Sequence, residues 1–185
     1  MPSTPPHAPA AERPSFTPLV CVVDFHHARG PEIEHWIGGN PAANPDDSAD
    51  NDWSLIPYMA LPDGAHSLTE EFSYFTLVWK SPGSKEAEIG QGETQAASTD
   101  GSETSVFGIS CTQQVDASKL VWKSEEVTRS AVQKAVVVLT DRPGEFGRLR
   151  EKLSVVTRAW FAQRDFRDVE ILEVGFFSLH FFGGY

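Results

Sequence analysis

The chain has 185 residues, 40% of them apolar and including 12 Phe and 5 Trp, which suits one buried core of ordinary size rather than two full domains. A formal charge of −11 with only 15 Lys and Arg, none of them clustered, and a pI near 4.9 argue against nucleic acid or a strongly anionic membrane as partner, because phosphate recognition needs concentrated cations. No run of about 18 apolar residues offers a membrane-spanning helix, and the first residues lack the cationic start and apolar run of a secretory signal.

Residues 1–18 carry six prolines and little that can pack, so they read as a disordered leader. LVCVVDF is a continuous β-branched run, ARGP supplies turn chemistry, and EIEHWI alternates apolar with polar residues; together they predict a β-hairpin. After a polar loop rich in Asn-Pro and Asp, Asp52 is placed to cap a short helix in WSLIPYMAL, with Trp53, Ile56 and Ala60 on one face and Pro57 limiting its regularity. Pro62-Asp63-Gly64 closes that element with a turn. FSYFTLVWK at 72–80 is a third strand, and residues 81–104, with Ile89 their one bulky apolar group, read as a flexible insertion. SVFGISCTQQV resumes the strand pattern, and VQKAVVVLT beyond a polar excursion has the composition of a strand buried on both faces. From Phe146 the period changes: Leu149, Leu153, Val156 and Trp160 follow at steps of three and four, with Arg148, Arg150, Glu151, Lys152 and Arg158 opposite. The order strand, strand, short helix, three strands, long helix predicts an α+β domain, an antiparallel sheet flanked by helices.

Candidate chemistry centres on Asp24, His26, His27 and His35. In a regular strand Asp24 and His26 share one face and His27 takes the other, so at most two imidazoles and one carboxylate converge. A zinc site of that composition is conceivable, but neither HExxH nor CxxC occurs, and the preferred reading is a histidine-rich hairpin with no metal. No GxSxG elbow or phosphate-binding glycine loop is present. Cys111 lies mid-strand, where burial raises a thiol's pKa, and with Cys21 it suits a reduced core thiol of the cytosol. No catalytic, cofactor-binding or metal residue is therefore assigned, and the chain reads as a non-enzyme. Trp53, Tyr58, Phe72, Tyr74, Phe75, Trp79, Trp122, Trp160 and Phe161 are mostly core by position. The preferred partner surface is the short helix and its following loop: Trp53, Tyr58, Pro62, Asp63, Gly64 and His66.

The blocks VVDFHHARGPEIEHW, WSLIPYMALPDGAH, EEFSYFTL, VFGISCTQQV, VTRSAVQKAVVVLT and LSVVTRAWFAQRDFRDVEIL together resemble, from Leu19 to Leu172, the N-terminal region of the Avl family of late-secretory-pathway proteins, members of the DENN superfamily. That resemblance implies an upstream-DENN part with a longin-like fold, a five-strand antiparallel sheet flanked by helices. It further implies a guanine-nucleotide exchange role on a Rab-type small GTPase in late secretory, exocytic transport. The location would be cytoplasmic, peripheral to Golgi or secretory vesicles. The isolated segment is expected to be inactive without the remaining DENN parts. Residues 173–185, EVGFFSLHFFGGY, match nothing in the family pattern on this reading and stand as an aberrant aromatic tail. Two further readings are a longin-like trafficking adaptor without exchange activity and a small metal-dependent enzyme using the hairpin histidines.

Overall fold

The computed structural model describes residues 16–39, 41, 51–61, 69–80 and 103–180. The expected leader (apart from 16–18), the turn at Pro62-Asp63-Gly64, His66, nearly all of the 81–104 insertion and residues 181–185 lie outside the described residues.

The strands are β1 (Leu19–His26), β2 (Gly30–Ile37), β3 (Glu70–Lys80), β4 (Glu103–Asp116) and β5 (Ala131–Thr140). They form one five-stranded antiparallel sheet in the order β2-β1-β5-β4-β3. Helix α1 (Ile56–Ala60) connects β2 to β3, while α2 (Phe146–Gln163) and α3 (Glu170–His180) follow β5. This is the expected α+β order with a helix added at the end.

The Val-rich strand β5 is central, and every residue from Val132 to Thr140 is buried. Its alternate side chains feed two cores. Val132, Val136 and Val138 join Val20, Val22, Ile109 and Cys111 beneath α2 and α3, whereas Ala135, Val137 and Leu139 join Cys21, Val23 and Val106 beneath α1. A strand can serve two layers this way only if both of its faces are apolar.

The β1–β2 pairing carries a bulge. Val22 faces His35 and Val23 faces Ile33, which leaves Glu34 as the extra residue. Strict alternation would put Ile33 and Trp36 on opposite faces. The bulge reverses the parity between them, and both pack on the α1 side.

Helix α2 buries Leu149, Leu153 and Trp160 of the expected stripe, leaves its Phe146 and Val156 half-buried, adds Phe161, and ends at Arg164 in the left-handed conformation (φ 58°). Helix α3 runs through residues read as the start of an aberrant tail. Leu172 and Phe176 are four residues apart on one helical face and are 0% and 3% exposed. Their spacing, rather than the phenylalanine content, decides the structure. Gly175 lies against Val156, whose methyls would stand 3.0 Å from an added Cβ.

Helix α1 departs from expectation at its start. Leu55 is its N-cap, without a side-chain cap, and Asp52 instead accepts from the Ser54 amide at 2.9 Å, closing an Asx turn before the helix. Pro57 occupies the first turn, where its missing N–H costs nothing. Trp53, Ile56 and Ala60 face the sheet as expected, at 9%, 0% and 0% exposure.

Two polar contacts fix β3. The Asn51 side-chain amide donates to Lys80 O at 2.9 Å and accepts from Lys80 N at 2.8 Å. At the other end, Glu70 receives hydrogen bonds from Ser154 (3.0 Å), Gln113 (3.0 Å) and Arg158 Nε (2.9 Å), tying β3 to α2. Burial pushes the Glu70 pKa up, but the Arg158 guanidinium and the Ser154 and Gln113 hydrogen bonds outweigh it and hold the carboxyl below its ordinary 4.5. A depressed folded-state pKa contributes stability that is present above the unfolded value and lost as pH falls through the folded one. Melting temperature should therefore fall further between about pH 7 and about pH 3 in the wild type than in Glu70→Gln. Equal acid sensitivity in thermal denaturation would remove Glu70 as a contributor.

Candidate functional site

Two concave surfaces lie on opposite faces of the sheet, both bordered by β2. On the α1 side is a shallow groove of about 500 Å³ whose lining includes Pro31, Ile33, Trp36, Trp53, Leu55 and Tyr58. Its floor is the edge-to-face pair Trp36 and Trp53, with centroids 6.1 Å apart at 71°. Leu55 and Tyr58 stand on its rim at 55% and 63% exposure. The short helix turns Trp53 inward and Tyr58 outward, so a buried aromatic supports an exposed one. Such a rigid aromatic and aliphatic pair is the chemistry of a protein-binding anchor. Of the expected partner residues, Trp53 and Tyr58 meet here. The bulge delivers Trp36 and Ile33, which sequence reasoning missed; the visible signal was the slip in EIEHWI, where Ile33 and Trp36 are three apart.

On the other face, a cleft of about 470 Å³ lies between the hairpin tip, the β4–β5 connection and the α2–α3 turn. His26 organises it. Its Nδ1 accepts from the amides of Ala28 and Arg29 at 3.2 and 3.1 Å, which leaves Nε2 to carry the proton and donate to Glu126 at 3.3 Å. Arg29 pairs with Glu32 at 2.6 Å, and its guanidinium holds the Glu32 carboxyl below the usual range. His27 is not opposed to His26. The strand ends at His26, so alternation no longer applies, and the two rings stack at 5.3 Å with 24° between planes. His27 Nε2 meets Thr128 Oγ1 at 3.0 Å. Thus His26 and His27 fasten the turn to the β4–β5 connection.

His35 stays apart, 3.9 Å from Glu34. Among the described residues no group of three His, Cys, Asp or Glu is placed to hold a metal. Beneath the histidines, Lys134 is 5% exposed, and its Nζ bridges Asp24 at 2.9 Å and Glu34 at 2.5 Å. Trp122 was grouped with the core aromatics but is 47% exposed, lying 4.6 Å from the Arg167 guanidinium; Tyr58 and Tyr74 are exposed as well.

Neither cysteine offers an activated thiol. Burial pushes the Cys111 pKa up to about 12 and moves Cys21 upward as well, and both are free and buried. No helix among the described residues is long and apolar enough to cross a membrane.

The profile of the family described as "Transport protein Avl9" matches residues 17–182. The chain belongs to the Avl9 family. It is 43% identical over 157 residues to the late secretory pathway protein AVL9 of Saccharomyces cerevisiae, covering 83% of this chain and 19% of that protein. It is 40% identical over 155 residues to the late secretory pathway protein avl9 of Schizosaccharomyces pombe, covering 83% of this chain and 27% of that protein. This Avl9-family chain thus spans about a fifth to a quarter of the length of these relatives. The match takes in every strand and helix described above and reaches past Leu172, where the resemblance was expected to stop. No solved structure matches the chain.

Proposed function

We propose that this chain is the N-terminal, longin-like lobe of a DENN-type regulator of a Rab-type GTPase in late secretory, exocytic transport. It would act in the cytoplasm, peripheral to Golgi or secretory membranes. The observation that supports this most is the Avl9 match across residues 17–182, a span that folds as one helix-flanked antiparallel sheet. An exchange factor needs no covalent chemistry; it works by binding the nucleotide-free GTPase more tightly than the loaded one. Side chains that dock rather than react suit that task, and the α1–β2 groove with Trp53, Leu55 and Tyr58 is the proposed contact.

A second reading is favoured by the groove itself: an aromatic docking surface serves equally well in a trafficking adaptor with no effect on nucleotide. Release of a fluorescent guanine nucleotide from a panel of Rab-type GTPases separates the two readings. It is measured with this chain alone and with a chimera in which the chain replaces the matching segment of the S. cerevisiae relative. The chain alone should be inactive, the chimera should accelerate release from at least one GTPase, and Tyr58→Asp in the chimera should cut the rate at least about tenfold, the effect of losing one aromatic anchor. A chimera that folds and accelerates none of them leaves the adaptor reading standing and ends the exchange one.

A further inference from the structure

We draw no further inference here: the strongest candidate, the cleft between the hairpin tip, the β4–β5 connection and the α2–α3 turn, carries charges of both signs that pair with one another, Lys134 with Asp24 and Glu34 and Arg29 with Glu32, and nothing in the structure shows what covers it.

Discussion

Trp160→Ala should lower the free energy of unfolding by about 4 kcal/mol, within the range for truncating a fully buried indole. Trp160 is 0% exposed and sits where α2 hands over to α3. Its ring meets Phe161 at 5.6 Å and Phe166 at 4.8 Å, both edge-on, and its Nε1 donates to Asp168 O at 2.8 Å. Alanine leaves a cavity among these rings and strips a partner from a carbonyl in the α2–α3 turn, so the transfer, cavity and hydrogen-bond losses fall together. Trp160→Phe keeps most of the ring and loses the donor, and should cost about 2 kcal/mol. Chemical denaturation of the three proteins checks the ranking. A loss below about 1.5 kcal/mol for alanine would mean that this part of the core collapses around the gap.

Lys134→Met should destabilise by about 2–3 kcal/mol, and the cause is what it leaves behind rather than what it removes. The ammonium is buried in the central strand between Asp24 and Glu34. Without it two carboxylates face each other next to the Phe166 ring, which lies 5.3 Å from Nζ. Losing one partner of a fully buried ion pair costs about 3–5 kcal/mol; Asp24 and Glu34 keep 20% and 32% side-chain exposure, so water screens part of that. Adding Asp24→Asn and Glu34→Gln to Lys134→Met should restore most of the loss, because the repulsion is then gone. Equal instability in the single and triple variants, measured by urea unfolding, would assign the effect to packing of the lysine stem instead.

The strands and the long helix were legible because their side chains obey a period: Val132–Leu139 reads as a strand apolar on both faces, and Leu149, Leu153 and Trp160 as a helical stripe. What escaped were places where period gives way to a local hydrogen bond or a single inserted residue. The Glu34 bulge moves Trp36 across the sheet, and the groove exists because of that one residue. His27 leaves the strand's alternation because the His26 imidazole accepts two turn amides, an arrangement no spacing rule encodes. Asp52 was expected to cap the short helix, but Leu55 is the N-cap and the Asp52 acceptor serves the turn before the helix. Helix α3 was overlooked because its buried pair, Leu172 and Phe176, is short of a full repeat and lies in a run dense with phenylalanine. Half of the candidate site was visible as Trp53 and Tyr58 on one short segment. The other half came from β2, separated in sequence and brought alongside by packing.

Cys21 and Cys111 are each 0% exposed, yet they belong to different cores, one beneath α1 and the other beneath α2 and α3. The sheet itself stands between them as an insulator. The two sulfurs cannot join in an intramolecular disulfide while the strands stay paired, because the sheet keeps them in separate layers. Each thiol should therefore react with an alkylating reagent only when its own layer lifts, so that labelling of Cys21 reports departure of the short helix and labelling of Cys111 departure of the long ones.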